Sequence, residues 1–412
     1  MDVIHQCCAG LDVHKETVTA CVRRLEPGGR VAKQVKTFGT TTGELLRLLD
    51  WLSAEGVAAV AMESTGVFWK PVWNVLEGSL KLLLANARHI KNVPGRKTDV
   101  KDCEWIAQLL QHGLLRASFV PERPQRELRE LTRHRTQLVG EQTRVANRIH
   151  KTLEDANIKL GSVAADVLGA SGKEMIRALI DGQTDPDELA ELARGRLRSK
   201  LPALREALRG HLTAHHRFML RQLVDHIEYL QRQVEQFDQR IEELMAPFAP
   251  RVAQIMTIPG MGLRTAHNVL AEIGTDMSRF PSDGDLCSWA AVCPGNRLSA
   301  GKRQSGRTTM GNRWLRAALT QAAWAASHTK KTYLSAQYRR LAGRRGKKRA
   351  IVALAHTLLV IVYHVLRDHV DYYELGHDYF DKLQPRRLTN YLVKRLESLG
   401  HKVILVPDEQ AA

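Results

Sequence analysis

The sequence predicts a mixed α/β fold over residues 1–120, followed by a mostly helical remainder. Three patterns carry this expectation. Strand-like runs separated by tight turns fill the first forty residues. Apolar runs then alternate with helical periodicity to about residue 120. From Glu122 onward, leucines recur at helical spacing among many arginines. In order, Ile4–Val13 and Thr17–Arg24 read as strands, and Pro27-Gly28-Gly29 turns the chain into a third, Val31–Phe38. Thr42–Leu52 has helical spacing with a threonine at its N-cap. Val57–Met62 is all apolar and ends at Glu63, the pattern of a strand buried on both faces. A helix over Trp69–Glu77, a strand over Leu80–Ala85 and a helix from about Asp99 follow.

The remainder divides into a helical linker and coiled coil over 121–249, a helical region with glycine-rich turns over 250–370, and a tail over 371–412. Glu122–Leu160 places Leu128, Leu131, Leu138, Val145, Ile149 and Leu153 at helical spacing; residues 161–210 are less patterned, with turns at Asp181-Gly182 and Asp185-Pro186. Over 220–244, Leu220, Leu223, Ile227, Leu230, Val234, Phe237, Ile241 and Leu244 step by 3, 4, 3, 4, 3, 4, 3. That seam suits a parallel dimeric coiled coil, or a hairpin with the Glu122–Leu160 helix of the same chain. Ala350–Leu366 runs for 17 residues without Asp, Glu, Lys or Arg. It is short for a membrane span and carries His356, Thr357 and His364, so it reads as a buried helix. The cluster Arg344, Arg345, Lys347, Lys348, Arg349 before it is a nucleic-acid contact or a solvated loop.

Composition narrows the function. The 412 residues include 61 Lys+Arg against 44 Asp+Glu, a formal charge of +17. With 44% hydrophobic residues the chain is neither disordered nor collagen-like. Six cysteines show no C-x-x-C pair and no zinc spacing, which fits reduced thiols, and the N-terminus lacks a signal-peptide pattern. The expectation is a cytoplasmic protein with no membrane partner, whose excess positive charge meets a polyanion, nucleic acid first.

Four carboxylates stand out. Asp12 lies in the largely apolar first strand, in Gly10-Leu-Asp-Val-His14, where an unpaired charge is costly. Glu63 closes the later buried strand, and Asp99 and Asp102 stand three apart at a helix start, on one face. Taken singly, each has a plain structural explanation. Together with the three hairpin-linked strands they suit a ribonuclease-H-like site for Mg2+, with Mn2+ as a substitute, clamping the oxygens of a phosphodiester.

Farther on, Thr257-Ile-Pro-Gly-Met-Gly262 precedes a helix over Arg264–Ile273. Gly260 and Gly262 in such a turn expose backbone N–H groups to a phosphate, as in a helix-hairpin-helix, or form a plain turn between core helices. Ser299 and Ser305 share a glycine-rich loop with Lys302, Arg303 and Arg307, and Arg313 and Arg316 follow closely. A serine becomes a nucleophile when its proton is removed and the attacked phosphate is neutralised. The same composition also makes a passive nucleic-acid contact, and it does not separate Ser299 from Ser305.

With these residues in view, the chain resembles the DEDD-type insertion-sequence transposases, the family related to the Piv/MooV DNA invertases and called bridge-RNA-guided recombinases. The resemblance spans nearly the whole length. It rests on Gly10-Leu-Asp-Val-His14, Met62-Glu-Ser-Thr-Gly66 and Lys97-Thr-Asp-x-x-Asp102, then on Ile258-Pro-Gly-Met-Gly262, Ser288-Trp-Ala-Ala-Val-Cys-Pro-Gly295, Ser299-Ala-Gly-Lys302 and Gly311-Asn-Arg-Trp-Leu-Arg316. It implies an N-terminal RuvC-like domain, a coiled coil and a C-terminal transposase domain. It implies that Asp12, Glu63, Asp99 and Asp102 bind the metal and that Ser299, rather than Ser305, attacks DNA to form a phosphoserine link. It further implies a composite active site shared between protomers of a dimer or tetramer, and a structured guide RNA pairing with donor and target DNA. Two positions depart from the family pattern: Cys103 stands where alanine is usual, and Met310 where a basic residue is common. The competing readings are a RuvC-like Holliday-junction nuclease using metal-activated water and a non-catalytic nucleic-acid-binding architectural protein.

Overall fold

A computed structural model describes residues 3–64, 66–87, 90, 102–295, 297–309 and 311–405. The chain forms two compact units, Met1–Pro121 and Glu122–Ala412.

In the first unit, β1 (Cys7–Val13), β2 (Thr17–Leu25) and β3 (Val31–Gly39) form an antiparallel meander. The chain then passes through α1 (Thr42–Ala54) to β4 (Ala59–Glu63), and through α2 (Trp69–Leu76) to β5 (Lys81–Ala85). Both β4 and β5 run parallel to β1, giving a five-stranded sheet in the order β3-β2-β1-β4-β5. Strand residues alternate between two cores, as a period of two requires. Ala9, Leu11, Val60 and Met62 pack with Leu45, Leu48 and Leu52 of α1. On the opposite face Cys8, Ala59 and Ala61 meet Trp105, Ile106 and Leu109 of α3 (Asp102–Gln111). The sheet is buried on both sides at its centre, which explains why β4 reads as a continuous apolar run.

The second unit is helical. Its spine is α4 (Arg123–Asp155), and the residues without clear pattern fold into α5 (Ala170–Ile180), α6 (Leu201–Leu208) and short helical turns. These pack around Leu220 and Leu223 of α7 (Ala214–Met245), in one core with Ile149 and Leu153 of α4. His216 of α7 pairs with Asp155 of α4, while Asp238 pairs with Arg135, so the two long helices run antiparallel. The heptad seam is thus spent inside one chain: Leu220, Ile227, Leu230, Val234 and Ile241 are each at most 4% exposed without any partner molecule. Of the two arrangements open to that seam, the intramolecular hairpin is the one formed, and the heptad supplies no argument for a parallel dimer.

Beyond it come α8 (Ala249–Met256), α9 (Leu263–Ile273), α10 (Asp283–Trp289), a β-hairpin, α11 (Arg313–His328), α12 (Tyr333–Arg345) and α13 (Lys347–Asp368). Helix α13 is long and apolar enough to cross a membrane, yet Leu354, Leu358, Leu359 and Val362 on it are fully buried within the unit. In the tail, α14 (Pro385–Ser398) buries no residue.

Candidate active site

The first cluster is built by a missing side chain. Cys8, Gly10 and Asp12 share the face of β1 that meets α3, and the helix lies almost on the strand there. The Cys8 thiol reaches the Ala107 carbonyl at 3.6 Å, and a Cβ on Gly10 would stand 2.3 Å from both the Ala107 nitrogen and the Cys103 oxygen. One step farther along this face comes Asp12, at the level of the helix N-terminus that Asp102 opens. In β4, Ala59 and Ala61 pack on the same side, and Glu63 follows them with the same period. Because Leu11 pairs with Met62, Asp12 and Glu63 are neighbours at the carboxyl ends of two parallel strands. Three carboxylates from three elements therefore face one region.

The electrostatics agree. Burial raises the Asp12 carboxyl above its ordinary range, and the negative charges of Asp102 and Glu63 push it further up. His14 opposes them, its Nε2 lying 3.2 Å from Asp12 Oδ2. Asp99 lies outside the described residues. Among those described, no three His, Cys, Asp or Glu side chains close on a single ion-sized point.

The second cluster belongs to the other unit. Pro294 bridges to Thr308, Gly295 N donates to Arg307 O, and Arg297–Ser299 pairs antiparallel with Lys302–Ser305. What reads as a glycine-rich loop is therefore a β-hairpin with a register shift near its base. Ser299 pairs with Lys302, and the two residues between them, Ala300 at φ +47 and Gly301 at φ +74, make the turn. Two positive φ values are the mark of a type I′ turn, which suits the twist of a two-residue hairpin. Glycine takes that region freely; alanine does so at a cost of about 1 kcal/mol, so strain sits next to Ser299. The motif Ser299-Ala-Gly-Lys302 is thus the four residues of one turn. Lys302, Arg307 and Arg313 are exposed, Arg316 is half-buried, and Arg303 is placed by its backbone in the returning strand.

The turn before α9 divides its two glycines. Gly262 is the exposed N-cap of α9, with space around it. Gly260, at φ +87, presses against α11, where a Cβ would meet Ala322 O at 2.4 Å and Ala326 N at 2.7 Å. The bare α-carbon of Gly260 admits a neighbouring helix, so packing accounts for this glycine whether or not its N–H meets a phosphate.

A buried ionic hub escaped the sequence reading. Glu272, 2% exposed near the end of α9, accepts from Arg133 at 2.6 and 2.8 Å and from Asn312 Nδ2 at 2.6 Å, with Arg129 Nε 3.4 Å away. Burial pushes the Arg129 guanidinium down to about 10 despite the Glu272 charge. Asn312 Oδ1 in turn accepts from Trp314 N and Leu315 N, capping α11. Gly311 lets this corner touch the Trp289 carbonyl, which a Cβ would meet at 2.5 Å. The hub thus ties α4 and α9 to the returning foot of the serine hairpin. A signal was present: Glu272 interrupts the apolar run Val269-Leu-Ala-Glu-Ile273, and Arg129 and Arg133 are one helical turn apart. Glu272→Ala leaves two guanidiniums without their shared carboxylate and should cost about 3–5 kcal/mol, read as a lower urea midpoint.

No curated protein matches the chain. Two family models do. The IS110 DEDD transposase domain matches residues 9–158, from β1 through the carboxylate cluster to the end of α4. The transposase family described as IS116/IS110/IS902 matches residues 252–339, which include α9, the serine hairpin and α11. Together they cover more than half of the chain, in the order and at the places where the two clusters lie, and the chain belongs to the IS110-type DEDD transposases, enzymes that act on DNA.

Proposed function

We propose that this transposase moves its own insertion sequence by site-specific recombination, with Ser299 as nucleophile and the Asp12 cluster as a divalent-metal site. The observation that carries the reading is that Asp12, Glu63 and Asp102 face one region where Gly10 lets α3 lie against β1. A chain with no need for a cation has little reason to place three acids in one region of a protein this basic. The sheet order β3-β2-β1-β4-β5, with acids at the ends of β1 and β4, supports a RuvC-like assignment for this unit.

Hard carboxylate oxygens suit Mg2+, and Asp99 would be the fourth ligand. When bound, the cation would neutralise a phosphate oxygen and so favour attack at phosphorus. The chain's own groups do the rest. The turn presents Ser299 at the tip of a basic hairpin, and Lys302, Arg307, Arg313 and Arg316 lower the cost of charge on the phosphate. Ser299 Oγ forms a bond to phosphorus, the phosphorus–O3′ bond breaks, and the 3′-oxygen leaves with a proton. Reversal by another 3′-hydroxyl after strand exchange restores serine and conserves the bond energy. Target choice by a structured guide RNA, and protomers that share carboxylates and serine, rest on the motif set.

Addition of Mg2+ should raise the Tm of the intact protein and leave that of Asp12→Asn unchanged. Equal shifts in both would place the ion elsewhere.

A further inference from the structure

From Leu286 to Arg367 the chain has 82 residues with 16 Lys+Arg and not one Asp or Glu. Nearly the whole formal excess of +17 is concentrated there. Six of these cations belong to the serine hairpin and the start of α11. A second group lies apart in sequence, where α12 gives way to α13: Arg339, Arg340, Arg344, Arg345, Lys347, Lys348 and Arg349, all exposed. Gly346, at φ +81, is the single residue between the two helices, so the turn gathers these charges tightly. From Arg340 onward the group lies beyond the regions matched by either family model.

Elsewhere in this unit several exposed arginines are paired: Arg177 with Glu228, Arg194 with Glu174, Arg205 with Asp187, Arg221 with Asp181. Among the described residues none of the seven has a carboxylate within ion-pair reach; Arg340 lies over the Phe380 ring at 5.2 Å. Arg344 and Arg345 suit the C-terminal turn of α12, but the other side of the turn does not help the fold. Lys347, Lys348 and Arg349 occupy the first turn of α13, where the helix dipole favours acids, and neighbouring like charges repel. The turn is retained against an electrostatic cost that a polyanion would remove.

We infer that the turn Arg339–Arg349 is a second nucleic-acid grip, separate from the serine hairpin, that holds the phosphate backbone of duplex DNA without reading bases. Arginine and lysine neutralise phosphates without reading bases, and Phe380, the ring that Arg340 covers at 5.2 Å, is already engaged. A polybasic turn before an apolar helix can also mark a lipid surface, but α13 spends its apolar residues on the core of this unit. The inference rests on the reading that the enzyme acts on DNA and not on which residue attacks it.

The test uses the full chain carrying Ser299→Ala, so that binding is read without covalent capture. Replacing Arg344, Arg345, Lys347 and Lys348 by glutamine keeps helix propensity and leaves Gly346 in place. Affinity for a duplex of about 40 base pairs in about 0.1 M salt should fall roughly tenfold or more, and the slope of log K against log salt should drop by about 3. The pair Arg344→Gln and Lys348→Gln should give about half that change, and covers disturbance of the turn by four substitutions. An unchanged slope overturns the inference. So does an equal loss after Lys151→Gln, Arg194→Gln, Arg209→Gln and Arg221→Gln, which would show a net-charge effect. A loss confined to a structured RNA, or to anionic vesicles, overturns the assignment to duplex DNA. Failure of the serine reading would appear in the adduct assay, while failure here appears in the salt slope.

Discussion

Ser299→Ala should give no protein–DNA adduct on denaturing gels, and Ser305→Ala should still give one. The expected loss is complete, because no other group replaces the oxygen that bonds to phosphorus. Asp12→Asn should also abolish the adduct, by a different route with a different signature. In the absence of cation the Asp12 carboxyl is raised by burial and by Asp102 and Glu63, so charging it costs the folded state. The sign follows: with a folded-state pKa above the unfolded one, stability falls as pH rises through that interval and stays lower above it. Asparagine removes this penalty, so Asp12→Asn in chelator should melt above the parent at neutral pH although it is inactive. Ser299→Ala has no reason to shift the Tm in the same way. Cut DNA without attached protein in Ser299→Ala would instead favour metal-activated water, the junction-nuclease alternative. Undiminished function in Glu63→Gln would favour an architectural binder.

The second large effect concerns a residue with no chemistry. Gly10→Ala places a methyl 2.3 Å from two backbone atoms of α3, and no rotamer change relieves a clash with backbone. Either the helix lifts from β1 or the strand moves, at an expected cost of about 3 kcal/mol or more. Lifting α3 also carries Asp102 away from Asp12. A variant that still folds should therefore lose the Mg2+-dependent rise in Tm together with the adduct. Gly39→Ala, whose Cβ would meet only the flexible Glu44 side chain at 3.0 Å, serves as the mild control. A soluble Gly10→Ala protein of parental stability would disprove the close packing.

The sheet was legible because its strands are short and turn-bounded, β1 and β4 are largely apolar, and the hairpin turn at Pro27-Gly28-Gly29 has one chemical meaning. Asp12 and Glu63 could be singled out because each breaks an apolar strand. Their adjacency could not, since it depends on the parallel register of β1 with β4, 51 residues apart in sequence. The heptad of α7 was plain as a pattern, yet a seam does not name its partner, which here is the antiparallel α4 of the same chain. Ser299 was placed in a loop because Gly301 and Gly306 suggest irregularity, whereas the strand pairing comes from residues without a strong β pattern. Glu272 stands out as a charge in an apolar run, but its arginine partners are about 140 residues upstream, and the run itself does not identify them.

The antiparallel pairing of α4 with α7 has a consequence for how relatives of this chain can vary. Each helix has more than thirty residues, so the pair measures about 48 Å from root to tip at 1.5 Å per residue. Lengthening it by arbitrary insertions would rotate the apolar stripe out of register, whereas seven residues added to both helices nearly preserve its phase. The strut is a ruler graduated in steps of about 10 Å, and variants with longer or shorter arms should differ by whole heptads in both helices at once.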